Sequence, residues 1–174
     1  MTEMEDSWEL VLAEAMQRAR SAGRADLAGY LDLRARNDLL RRTATDWLTI
    51  TFTALAAVAN RHGAAIQIEQ KDGHRFHRGS ATMVGCRLTL RRGVRTLTIE
   101  SGWPRAPRDG IVRGDGLACA NIKHLGRPRS NSELLLARSV SDSPQWQVVD
   151  KIGNESLLTD AHIRKHFSIL LSES

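Results

Sequence analysis

Apolar residues recur every three or four positions through the first sixty residues and every second position thereafter. Trp8, Val11, Leu12, Ala15, Met16 and Ala19 follow the i, i+3, i+4, i+7 rule of an amphipathic helix. Asp6 or Ser7 is placed to cap it and Gly23 to end it. A second helical pattern spans 25–41 through Leu27, Tyr30, Leu31, Ala35 and Leu39, with Gly29 as its weak point. A third runs from about Thr43, where Thr43 and Asp46 are spaced as a capping box, to Arg61, just ahead of Gly63. Its stretch from Trp47 to Asn60 holds fourteen residues without a charge. That reads as a helix buried in the core, and it falls short of the roughly 20 residues a bilayer span needs.

After Gly63 the period becomes two. Ile66 and Ile68 alternate with Gln67 and Glu69, and Lys71-Asp72-Gly73 fits a three-residue hairpin loop with glycine in the left-handed position. That register sets Ile68 opposite Phe76 and Glu69 opposite Arg75. A second hairpin turns at Arg92-Gly93, which sets Leu88 opposite Leu97 and Cys86 opposite Ile99. Arg87, Thr89, Arg91, Thr96 and Thr98 then share the other face. Residues 101–116, with four glycines and two prolines, form the longest irregular stretch. Strands resume at about 117–125, 133–139 and 145–150. A last helix starts at Thr159, with Leu158 and Ile163 as a hydrophobic staple and Ile163, Phe167, Leu170 and Leu171 as its buried stripe.

Helices and strands segregated in this order imply an α+β fold, not α/β. The expected architecture has N-terminal helices and one C-terminal helix packed on a mainly antiparallel, curved sheet of about six strands. It is one domain: a helical part over 1–62, the sheet over 63–150, and the C-terminal helix over 156–172. The far face of the sheet should be partly open.

Length and composition agree. The chain has 174 residues, 41% hydrophobic and 26% charged, ordinary values for a folded domain. With no signal-peptide pattern at the acidic N-terminus, a cytoplasmic protein is expected, with no membrane partner. Cys86 and Cys119 form no motif, and both read as reduced, buried thiols. The net charge of +5 is unevenly spread. Residues 61–130 carry fourteen Arg and Lys against five acids, whereas the segments on either side are each net negative. Most of the excess is Arg, the side chain suited to bidentate contact with phosphate or carboxylate.

Candidate chemistry follows from these arginines. Arg87 and Arg91 share a strand face, with Arg75 and Arg78 on neighbouring strands. Regularly spaced Arg on a sheet can track phosphates. Phe76 points inward in this register, so base stacking is disfavoured. In the long stretch, Arg105, Arg108 and Arg113 alternate with Asp109 and Asp115, acids that would orient them around an anion. His74 and His77, three apart on a strand, point to opposite faces and share no metal. His162 and His166 have metal spacing on a helix, and a third ligand would have to come from His124 or Asp160, which gives little support to a metal. No nucleophile elbow or phosphate-binding glycine loop occurs, and Arg113-Gly114-Asp115 is a chance match to the cell-adhesion tripeptide. Neither a cofactor nor a metal is expected. Two functions survive. One is a non-catalytic module binding nucleic acid, an acidic protein or a phosphorylated small ligand through Arg87, Arg91, Arg105, Arg108 and Arg113. The other is an enzyme or small-ligand binder with a pocket between sheet and helices, covered by loop 101–116, for which His74 is the inward-facing candidate.

Overall fold

The computed structural model describes residues 3–141 and 143–172, with side chains from residue 9 onward apart from that gap. The chain falls into two compact units, residues 1–40 and 41–174. The first is a helix–turn–helix. Helix α1 covers Glu3–Ser21, and α2 starts at Ala25 after a turn in which Gly23 takes φ 69°. Because α1 begins at Glu3, Asp6 and Ser7 lie inside it rather than capping it. The side chains of Asp6, Ser7 and Trp8 are outside the described residues.

Helix α2 runs unbroken over Ala25–Arg61. The helices expected at 25–41 and from 43 are therefore one element. No Gly or Pro separates them, and Thr45 does not compete with the helical backbone but bonds back to the carbonyls of Arg41 and Arg42, both at 3.0 Å. At the far end Gly63 takes φ 85°, and Asn60 ties its amide to both backbone groups of Ile66, which sets the entry into the sheet.

The second unit holds a seven-stranded, wholly antiparallel open sheet in simple meander order. Its strands are β1 Gln67–Arg78, β2 Ala81–Arg92, β3 Arg95–Trp103, β4 Ala118–His124, β5 Ser132–Arg138, β6 Pro144–Val149 and β7 Glu155–Leu157. Helix α3, Asp160–Leu171, follows, capped by Thr159. The fold is thus α+β as expected. The seventh strand, three exposed residues long, has no apolar alternation to announce it. It occupies residues 155–157, overlapping the start of the 156–172 range expected for the C-terminal helix.

The two hairpin registers differ from expectation. Lys71 and Asp72 are not a turn: they pair with Arg87 and Cys86 inside a long β1. Gly73, at φ 65°, is the extra residue of a β-bulge, and the chain turns later, at Gly79-Ser80. Ile68 therefore lies opposite Leu90, and Phe76 opposite Met83, on opposite faces of the sheet. The expected Glu69–Arg75 pair does not form, since these residues face Thr89 and Val84. The second turn is Gly93-Val94, one residue beyond Arg92-Gly93. Gly93 takes φ 56° in the first turn position, where an arginine would be strained. Leu88 consequently faces Ile99, Leu90 faces Leu97, and Cys86 faces Ser101. A shift by an even count leaves every side chain on its expected face.

One face is the core. Leu88, Leu90, Leu97, Ile99, Ile122 and Leu134 are buried there, as are Leu48, Phe52 and Ala56 of α2 and Ile163, Phe167 and Leu170 of α3. Trp146 Nε1 donates to the Ala44 carbonyl at 3.0 Å, and Arg41 Nε to that of Leu117 at 2.7 Å, pinning α2 to this face. On the other face the sheet curls. Phe76, Ala81, Met83, Cys119 and Leu135 of β1, β2, β4 and β5 form a second small core. Arg78 of β1 reaches Glu133 and the Leu134 carbonyl of β5. Beyond that closed end, the face is open.

Candidate functional site

The open part of the face is a trough of about 600 Å³. Alternation along each strand builds it: Arg87, Thr89 and Arg91 from β2, Thr96, Thr98 and Glu100 from β3, Lys123 from β4 and Glu69 from β1. Gly126, Pro128 and Asn131 of the β4–β5 connection form a wall. A volume of this size suits a small ligand, although the lining is polar.

Glu100 is the centre of its electrostatics. The carboxylate is buried, yet it accepts from Lys123 Nζ at 2.7 Å, from His74 Nε2 at 2.9 Å and from Asn121 Nδ2 at 3.4 Å. Burial pushes its pKa up, and the hydrogen bonds from Lys123 and His74 outweigh it, so the carboxyl sits below its ordinary value. The Gly73 bulge brings His74 here, because it turns His74 onto the open-face side, opposite Gly85. Arg87 is the cross-strand partner of Glu100 in the ladder. Both Glu100 oxygens are already engaged by Lys123 and His74, and Arg87 Nε is buried with no hydrogen-bond partner among the described residues. Arg91 in the trough, and exposed Arg127 and Arg129 on the connection that walls it, make no ion pair among the described residues.

The structure brings Arg87 and Arg91 together and leaves the other candidates elsewhere. Arg105, Arg108 and Arg113 stand in the 104–117 connection, which lies against the Ala81–Val84 end of β2, away from the trough. Arg105 stacks over Trp103, its Cζ 3.6 Å from the ring centroid, and donates to the Val84 carbonyl. Arg108 and Arg113 are exposed. Of the two acids of this segment, Asp115 is exposed and Asp109 is buried. It accepts from the backbone of Arg105 and Ala106 and from Arg75 at 3.0 Å. Burial raises its pKa, and these donors bring it below the ordinary value. Arg75 and Arg78 are thus committed to Asp109 and Glu133, not to the trough. Phe76 lies on the open-face side after all, but within the closed core, so among the described residues lining the trough no Phe, Trp or Tyr ring is offered to a base. Lys123, Glu69, Asn131, Arg127 and Arg129 were not anticipated. Lys123 alternates with Asn121 on β4, a signal that becomes readable only once β4 is paired with β3.

A second polar cluster lies on the core side. His124 Nε2 and His166 Nδ1 are 2.9 Å apart in stacked rings, and Ser132 Oγ is 3.0 Å from His166 Nε2. Burial depresses both histidines, His166 to about 4 with added repulsion from His124. The chain Ser132–His166–His124 resembles a nucleophile, base and orienter, but so weak a base draws little from a serine hydroxyl. His162 instead caps α3 through Thr159, so the His162–His166 spacing gathers no common ligand. Among the described residues no group of three or more His, Cys, Asp or Glu could hold a metal. Both cysteines are free, Cys119 buried and Cys86 partly so, and burial pushes each thiol up to about 11. Among the described residues no helix is long and apolar enough to cross a membrane.

No family model matches this chain, and neither a curated protein nor a solved structure is detectably similar to it.

Proposed function

We propose that the protein is a non-catalytic binding module for a compact phosphorylated ligand, held in the trough by Arg87, Arg91 and Lys123. The observation that carries this is Arg87. It is a cation at the trough floor whose buried Nε lacks a partner among the described residues, beside an acid whose two oxygens are already engaged by Lys123, His74 and Asn121. A buried polar group without a partner is costly, and an anion in the trough would satisfy it. Thr89, Thr96 and Thr98 add hydroxyls along the floor. Among the described residues the trough lining holds no Phe, Trp or Tyr, which favours a small ligand over a nucleic-acid strand, since single-strand binders hold theirs by stacking.

One pair favours a catalytic second reading. His74 and Glu100 form a histidine–carboxylate couple at 2.9 Å whose carboxylate reaches the trough, a unit able to move a proton. Residues 101–116 line neither this trough nor the cavity of about 20 Å³ beside α3, so that reading too is centred on the open face.

Calorimetric titration with pyrophosphate, a sugar phosphate and a single-stranded oligonucleotide at low salt separates the possibilities. Binding of the small phosphates with shallow salt dependence is expected. Binding of the oligonucleotide alone, with a steep log–log salt slope, would replace the small ligand by nucleic acid. No binding of any anion would end the proposal.

A further inference from the structure

The outer face of α2 does not fit a surface helix. A helix apolar all round is buried all round. Residues 47–60 carry no charge, yet only one side of this stretch is covered. Leu48, Phe52 and Ala56 are fully buried, while Trp47, Ile50 and Val58 are 46%, 65% and 45% exposed. Exposed Ala54 continues the outer stripe. Thr43, Trp47, Ile50, Ala54, Ala57 and Arg61 are spaced by alternating threes and fours, the seam of a two-helix coil.

From this spacing we infer that the outer face of α2 in the second unit pairs with the same face of a second copy of the chain, antiparallel, about a two-fold axis near residue 52. Three features select this occupant. In an antiparallel seam each large residue meets a small one: Trp47 lies opposite the second copy's Ala57, and Ile50 opposite its Ala54. At the seam ends exposed Arg61 of one copy arrives beside exposed Thr43 of the other, so the seam line itself sets no like charges opposite each other. Arg41 does not disturb this end, since its Nε is turned to the Leu117 carbonyl. Finally, the face is self-complementary as an isologous contact requires. The 21 residues 41–61 span about 30 Å, enough for the six seam positions. The contact is on the helical side and does not depend on the trough.

Sedimentation velocity on the full chain tests it. The wild type should sediment as a dimer. Ile50→Glu should raise the dissociation constant by about a hundredfold or more, since symmetry buries two carboxylates in one seam. Its far-UV circular dichroism should be unchanged, because Ile50 is exposed in the single chain. The double variant Ile50→Cys/Ala54→Cys should give a covalent dimer on mild oxidation, and the parent chain with only Cys86 and Cys119 should not. A monomeric wild type, a dimer that survives Ile50→Glu, or a dimer without covalent product would each overturn the pairing.

Discussion

His124 and His166 are the residues on which mild acid should act first. Both are depressed below their ordinary value of 6.5, His166 to about 4, so the folded protein keeps them neutral while the unfolded chain takes up protons. The stability they permit is complete above pH 6.5 and is lost as pH falls toward 4. The slope reaches at most about 1.4 kcal/mol per pH unit for each histidine. Charged groups nearby, Arg127 beside His124 and Lys165 beside His166, act in the same direction. Urea unfolding between pH 7.5 and 5 should show a falling midpoint, and His166→Phe should flatten it. Above pH 5 the depressed carboxylates Glu100 and Asp109 contribute little to the slope, since theirs is lost below their ordinary values of 4.5 and 3.8. A pH-independent midpoint in the wild type would contradict the buried neutral pair. At this scale the histidines were only partly legible: the 162/166 spacing pointed to His124 as a third member, but His124 on β4, 42 residues from His166, joins His166 alone and not His162.

The bulge in β1 shows how one backbone angle directs an element. Period two found most strand residues but missed 71–73, 101–103 and β7, and Lys71-Asp72-Gly73 carries the same signal whether the chain turns or bulges. The choice falls to tertiary pairing, because a hairpin at Gly73 would leave half of β2 without its neighbour. Gly73 adopts φ 65° with open space where a Cβ would stand, so a substitution there meets strain and no clash. Gly73→Val should cost about 1–2 kcal/mol and weaken the His74–Glu100 bond. Gly73→Asn should cost clearly less, since asparagine tolerates the left-handed region. Equal losses in urea titrations would mean that the bulge angle is not what matters. For α2, the Thr43 and Asp46 signal was a capping pattern in the middle of a helix, where no glycine or proline enforced an end.

For the whole molecule, the alternation of Arg87, Thr89 and Arg91 was legible because a register slip of two residues preserves faces. Which other charges join them was not, because sequence proximity is a poor guide across a curled sheet. The arginines at 105, 108 and 113 follow β3 directly but emerge at the far end from Arg91, whereas Lys123 enters through strand pairing. The proposed anion binding belongs to the trough and not to the long connection. It is tested most directly by titrating pyrophosphate into three proteins at one low salt concentration: wild type, Arg87→Ala/Arg91→Ala and Arg108→Ala/Arg113→Ala. Both double variants remove the same charge, and neither should disturb folding much, since none of the four arginines makes an ion pair among the described residues. The trough variant should lose affinity by about tenfold or more, while the connection variant should bind nearly as wild type. Equal losses in the two variants, or a loss confined to Arg108→Ala/Arg113→Ala, would contradict it.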